Sequence, residues 1–402
     1  MKRCKSVLFF LLILGNSIII NAQNKKRCHF DDLYNTKLKD ESFVGVQRDF
    51  DKFLKNYRID KNDTIIRIPL VFHVVYQNQT ENISDAQIQS QLDVLNEDFN
   101  KMNSDTTNAS GHSIANVKFE FCLAKRTPGG LTTTGITRTA TTIDNIGMTN
   151  DYYTLAPLWD RLEYINVWVC DIGNDAIGFA RPPSFQDANS EGIVIDVTAF
   201  GTIGTAETPY NKGRTLTHEI GHMFNLLHPW GSNSTSCGSS DFVNDTPEQL
   251  GEIYDCPTSN TSCNSSDMLS NFMQYVDDAC MGNYTEGQKT RMRAALQSFR
   301  PGWSSEQECW AVGLNENLLL ERVVLSPNPN RGNFFLRYSG QLNLAKMNFS
   351  ITDLTGKQVN FKIRQQSNGF EINLSTISEG VYLLKIASPL NSMVKKIVVK
   401  NE

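Results

Sequence analysis

Apolar and polar positions follow different rhythms in different parts of the chain. Met1 to Lys5 is positively charged, an apolar run spans Ser6 to Leu14 and continues unevenly to Ile20, and Asn21-Ala22-Gln23 then sets a small residue before a polar one. That order predicts a secretory signal cleaved after Ala22. The apolar run is too short, and too broken by Gly15 and Asn16, to favour a membrane anchor. Residues 23–58 are polar and charged. Beyond them, IPLVFHVVY and YINVWVC are near-continuous apolar runs that read as strands. Between them, ISDAQIQSQLDVLNEDF reads as a helix, with Ser84 as its cap and Ile88, Leu92, Leu95 and Phe99 at helical spacing. Further helices are expected over RTLTHEIGHM and TEGQKTRMRAALQSF. The stretch AVGLNENLLL carries no strong pattern and marks a junction. From Arg322 onward short alternating strands are separated by turn signals at Asn328-Pro329-Asn330, Thr355-Gly356 and Glu379-Gly380, which predicts a small β-sandwich.

Composition narrows the classes. A chain of 402 residues that is 40% hydrophobic and 20% charged can fold as two or three domains with sizeable cores. Its net charge is −5, and −8 once the first 22 residues with Lys2, Arg3 and Lys5 are gone. An acidic chain is a poor general nucleic-acid binder, because phosphate contacts need a concentrated positive face. After the N-terminus no run of 18 apolar residues occurs, so no later membrane-spanning helix is expected.

The chemistry lies in residues 214–230, RTLTHEIGHMFNLLHPW. His218 and His222, four apart, fall about 40° apart on one helical face, so both imidazoles can address one ion. Glu219 projects near that face, close enough to hold a water bound to the ion. His228, six residues beyond His222, would be turned about 240° away on a continuing helix. It can join the site only where the helix stops and the chain doubles back. Asn225 stands there, and Asn tolerates the left-handed conformation better than other residues with a side chain. Three of the six histidines fall within these 11 positions. His29 and His112 lack such a setting, and His73, inside IPLVFHVVY, reads as structural.

The pattern H-E-x-x-H-x-x-N-x-x-H resembles the metzincin signature of zinc peptidases, with Asn225 where Gly is usual. Met273 and Tyr275 in SNFMQY resemble the methionine turn that lies beneath the metal. PLVFHVVY, GIVID, GRTLTHEIGH, DFVNDTP and DDACMGNYTEGQ resemble the pappalysin family, especially its bacterial cytophagalysin branch, over about Ile65 to Cys309. SPNP-x-x-G-x-F, DLTGK and GVYLLKI look like the C-terminal sorting domain of the type IX secretion system, found in Bacteroidetes-type bacteria.

The resemblance implies an α/β (α+β) peptidase domain, with a twisted mixed sheet and an active-site helix, followed by the all-β sandwich. It implies one catalytic Zn²⁺ on His218, His222 and His228, with Glu219 as general base and Met273 as a hydrophobic floor. Tyr275 either steadies the tetrahedral intermediate or packs with its hydroxyl on the backbone. The resemblance further implies disulfides Cys237–Cys263 and Cys256–Cys280. It also implies a cysteine switch, in which the Cys28 thiolate fills the open metal position of a latent zymogen. FLKNYRIDKND is the expected site of activating cleavage. Relatives bind Ca²⁺ near the bridged loop, which makes Asp245 and Thr246 candidate ligands, while Asp241, Asp277 and Asp278 also read as solvated turn residues. Cys122 and Cys170 are open to pairing or to staying as buried thiols.

The expected organisation is signal peptide 1–22, propeptide 23–58, catalytic domain 59–309, linker 310–320 and sorting domain 321–402. The expected function is a secreted or cell-surface zinc endopeptidase, monomeric, acting on proteins or peptides and exported by the type IX machinery. Substrate is expected to lie alongside the strand GIVID, and some relatives prefer Arg after the scissile bond. The alternatives are an exported zinc-binding adhesin or a hydrolase of non-peptide amides. Glu219 argues against the adhesin, since a purely structural triad has no use for an unpaired carboxylate.

Overall fold

The computed structural model describes residues 25–59, 63–106, 114–149, 151–173, 176–303, 323–338, 348–366, 369–374, 377–387 and 392–400. The expected signal peptide, His112, Cys309 and the linker lie outside them. Two helices come first, α1 (Phe30–Lys37) and α2 (Glu41–Asn56). A six-stranded mixed sheet follows, made of β1 (Ile66–Tyr76), β2 (Phe119–Leu123), β3 (Ile136–Ala140), β4 (Ile165–Cys170), β5 (Gly178–Arg181) and β6 (Gly192–Asp196). Its order is β2-β1-β4-β6-β5, with β3 also paired to β1. All pairs are parallel except β5 with β6.

The near-continuous apolar runs become β1 and β4 because these strands are covered on both faces. The long helix α3 (Asp85–Phe99) covers one face, capped by the Ser84 hydroxyl, which accepts from Gln87 N. Ile88, Leu92, Leu95 and Phe99 join the main core as their spacing predicts. Single-turn helices α4 (Ile146–Thr149) and α5 (Tyr152–Leu155) lie against the other face. His73 is buried between Thr137 and Asn166, its two ring nitrogens 2.8 and 3.0 Å from their oxygens. Burial pushes its pKa down to about 4, so it is a neutral core residue as expected.

The strand GIVID is not the sheet edge along which a peptide can pair. It is β6, an interior strand between β4 and β5, and the free edge belongs to GFAR, which is β5. Only an edge strand has unpaired backbone groups to offer a partner.

Next comes α6 (Arg214–Met223), which α3 holds from behind. Gln91 donates to Gly213 O at 2.9 Å, and Thr217 donates to Asp98 at 2.6 Å. A long loop carries the small ribbon β7 (Thr261–Ser262) and β8 (Ser265–Ser266), and is crossed by disulfides Cys237–Cys263 and Cys256–Cys280. Helix α7 (Glu286–Phe299) closes the unit, with a reciprocal Thr285–Gln288 capping box. Cys170 is a buried free thiol, whereas Cys122 is in a disulfide whose partner lies outside the described residues, so the two do not pair.

The C-terminal unit is all-β. Strands β9 (Val323–Ser326), β10 (Asn333–Tyr338), β12 (Phe361–Gln366) and β13 (Gly369–Leu374) form one antiparallel sheet. Strands β11 (Asn348–Asp353), β14 (Gly380–Ala387) and β15 (Ser392–Val399) form the other. Phe334, Leu336, Ile372, Leu384 and Ile397 alternate inward into one shared core, which makes the pair of sheets a sandwich. No helix among the described residues is long and apolar enough to cross a membrane.

The N-terminal helices are not a loose appendage. Phe50 of α2 belongs to the main core, stacked on Phe299 at 5.7 Å beneath the Arg291 guanidinium. Phe50→Ala in the full-length chain is expected to cost about 3–5 kcal/mol. A urea titration that leaves the midpoint of the unit built on the six-stranded sheet unchanged would contradict this packing.

Candidate metal centre

The active helix begins at Gly213, whose φ of 73° suits glycine, and its last residue is Met223. The chain then reverses at Asn225, with φ at 66°, the left-handed turn its residue type allows. The Asn225 side chain is held by Ser184 and Gln47, and its carbonyl accepts from Arg291. The reversal carries His228 back to the helix face. The Nε2 atoms of His218, His222 and His228 lie 3.0–3.1 Å from one another, and all three rings are fully buried.

Hydrogen bonds decide what those nitrogens can do. Nδ1 of His218 faces Phe272 O at 2.7 Å, Nδ1 of His222 faces Leu226 O at 2.8 Å, and Nδ1 of His228 faces Asp31 Oδ1 at 2.6 Å. These partners only accept, so each Nδ1 carries the proton and donates it. Burial, with the neighbouring imidazoles, drives His218 and His222 well below the ordinary imidazole value, so both are neutral. The unprotonated Nε2 atoms of His218 and His222 therefore converge with the Nε2 of His228 on one point. Such a set repels itself and fits a borderline cation, for which tetrahedral N-ligation implies N···N separations of about 3.3 Å.

Glu219 stands beside this set. Both carboxyl oxygens are buried, and neither has a hydrogen-bond partner among the described residues. The Cys28 thiol is its close neighbour, and burial pushes the Glu219 carboxyl up to about 8. Gly178 on the edge strand makes room for it, since a Cβ there would sit 3.1 Å from Oε1. Met273 lies under the helix, and Gly221 leaves the space its sulfur fills. Tyr275 is fully buried, and its hydroxyl donates to Cys28 O at 2.8 Å.

Cys28 lies among the three histidines, its Sγ within 4.8 Å of all three ring nitrogens. Burial and the nearby Glu219 push the thiol well above its ordinary value. Its neighbours in sequence take part as well. Phe30 stacks on His222 at 3.8 Å, and Asp31 accepts from both His228 and Trp230. Burial would raise the Asp31 carboxyl, but those two donors outweigh it and hold it below its ordinary value. Arg27 is fully buried, donating to Asp278 Oδ1 at 2.6 Å and Val276 O at 2.9 Å, with its guanidinium 5.1 Å from the Tyr210 ring centroid. Sequence reasoning missed Arg27, Phe30 and Asp31, for which the only signal was adjacency to Cys28.

The acidic residues around the bridged loop have protein partners. Asp278 and Asp241 are buried rather than solvated. Asp245 accepts from Thr285 Oγ1 and Gly287 N at the start of α7, and Thr246 donates to Asp241 and to Val243 O. The calcium candidates Asp245 and Thr246 are thus engaged within the protein.

Comparison with known proteins agrees with this geometry. Residues 148–297 match the family model for pregnancy-associated plasma protein-A, and residues 325–400 match the secretion system C-terminal sorting domain. An extracellular metalloprotease of Verticillium alfalfae is 32% identical over 245 residues, covering 58% of this chain and 79% of the relative. The chain belongs to the pappalysin metalloproteases. A second extracellular metalloprotease, from Arthroderma benhamiae, is 29% identical over 59% of this chain and 80% of its own. Among solved structures, Tannerella forsythia promirolysin superposes with a TM-score of 0.63 at 38% identity, covering 68% of this chain and 95% of that one. Mature mirolysin of the same organism, in complex with a cleaved peptide, gives 0.53 at 44% identity over 57% of this chain and 91% of its own. This metalloprotease is a metalloendopeptidase with a type IX sorting tail, secreted or exported to the cell surface.

Gly221→Ala places a Cβ against the Met273 sulfur and is expected to destabilise the enzyme by about 1–3 kcal/mol. Combined with Met273→Ala, its cost should be smaller than the sum of the two single changes. Strict additivity in thermal unfolding would show that the two groups do not meet.

Proposed function

We propose that this metalloprotease is a zinc endopeptidase made as a latent zymogen. Its parts are a signal peptide (1–22), an inhibitory propeptide (23–58), a catalytic domain (59–309), a linker (310–320) and a sorting domain (321–402) that engages the type IX machinery. The observation that carries this reading is the convergence of three histidine Nε2 atoms beside the unpaired Glu219 carboxyl, with the Cys28 sulfur in the same cluster. His218, His222 and His228 would hold one zinc ion. When bound, zinc supplies Lewis acidity, which acidifies water and polarises a peptide carbonyl.

The remaining work belongs to the chain. Glu219 takes the proton of the attacking water as its oxygen bonds to the scissile carbon, and delivers it to the leaving amine nitrogen as the C–N bond breaks. Tyr275, released from Cys28 O when the propeptide leaves, donates its hydroxyl to the carbonyl oxygen as negative charge develops there. Met273 is the apolar floor that fixes the helix height. In the latent chain Cys28 occupies the place water needs, Phe30 lies over His222, and Asp31 ties down His228 and Trp230. Arg27 fills a pocket ending in Asp278, which supports a preference for a basic side chain next to the scissile bond. Cleavage within FLKNYRIDKND would free the segment.

The test uses purified mature enzyme on denatured and native proteins, with product termini read by mass spectrometry. Cleavage should stop with 1,10-phenanthroline, return with added zinc, and fall about 10²–10⁴-fold in Glu219→Ala. A mature, zinc-loaded protein that cuts no peptide bond would overturn the assignment. Full-length Cys28→Ala should become active without the lag of the wild type, and an unchanged lag would remove Cys28 from the latency mechanism.

A further inference from the structure

Residues 25–29 run beside the edge strand β5, with one bridge at Lys26 and a bend at Arg27. Lys26 forms a parallel bridge with Ala176, Ile177 N donates to Lys26 O at 3.0 Å, and His29 N donates to Gly178 O at 3.0 Å. Lys26 turns outward to Asp32, at 3.0 Å. Arg27 turns into the protein, and Lys25 and Arg27 each meet a carboxylate. Arg27 reaches Asp278, and Lys25 Nζ lies 3.2 Å from Asp196 Oδ2.

Asp196 ends β6 directly behind the cleft edge, its own N–H donating to Ile177 O at 2.9 Å. Its side chain is 1% exposed, whereas that of Lys25 is 27% exposed, so the cation reaches a buried anion from the open side of the cleft. The carboxylate also accepts from Thr198 N, Thr198 Oγ1 and Ile172 N, all neutral donors. Neutral donors satisfy its lone pairs and leave its charge in place. The charge is answered by Lys25, which departs with the propeptide.

We propose that Asp196 is a second specificity-determining residue of the cleft. It reads a lysine or arginine two positions beyond the basic residue bound at Asp278, on the same side of the scissile bond. The favoured substrates are then extended segments with basic residues at alternate positions, and Lys25 and Arg27 are the built-in copy of that pattern. This deepens the proposed peptidase reading and rests on it.

The experiment measures kcat/KM of the mature enzyme on three peptides that share an arginine beside the scissile bond. Two positions farther out they carry Lys, Ala or Glu. The expected order is Lys, Ala, Glu, with about three- to tenfold between the first two and a smaller gap at high salt. In Asp196→Asn the Lys-to-Ala ratio should approach one. If that variant does not fold, the wild-type series still decides. Equal kcat/KM for the three peptides, with arginine beside the bond still required, would overturn the role of Asp196 and leave the peptidase standing. Failure to cut any of them would sink both.

Discussion

Each imidazole of the centre points its Nε2 inward because its Nδ1 proton is committed elsewhere. Those commitments come from three parts of the chain: Phe272 O just before the methionine turn, Leu226 O from the reversal after α6, and Asp31 from the N-terminal segment. Phe272 O and Leu226 O belong to the catalytic unit and hold their rings throughout, whereas the Asp31 contact belongs to the chain with its N-terminal segment seated. The helix that bears two of the rings is itself tied down on both flanks. Thr217 donates to Asp98 of α3 and accepts on its carbonyl from the Tyr284 hydroxyl, and Arg214 sits 3.2 Å from the same Asp98. The core exists, in functional terms, to hold these acceptors still.

What could be read from the sequence follows from how local each cause is. The facing of His218 and His222 needs only helix geometry, and the reversal at Asn225 needs only the conformational tolerance of its residue type. The helix behind Ser84 and the buried run of β1 were equally local. The disulfide pairing rested on family resemblance and agrees with the structure. The cleft strand was misread, because GFAR is four residues long and carries no alternation, while GIVID has the stronger apolar pattern precisely because it is interior. Arg27 and Asp31 act across 251 and 197 residues. No periodicity encodes such contacts, and only the folded chain brings them to the metal centre.

The bridged loop shows another division of labour. It has few apolar residues to anchor it, and its two disulfides overlap in sequence, so each closes a span that the other enters. Asp277 N donates to Asp255 O beside the second bridge, and Asp278 receives the backbone N–H groups of Lys212 and Arg214 at the start of α6. The carboxylate that meets Arg27 is therefore fastened to the active helix on one side and to a cross-linked loop on the other. Cross-links stand in for a hydrophobic core where a cleft needs a polar wall.

Complete burial of the three imidazoles under Cys28 and Phe30 also bears on access to the centre. With the segment seated, the three rings are shielded from solvent. Seating of the N-terminal segment therefore governs access to the three nitrogens as well as to the Glu219 side of the site.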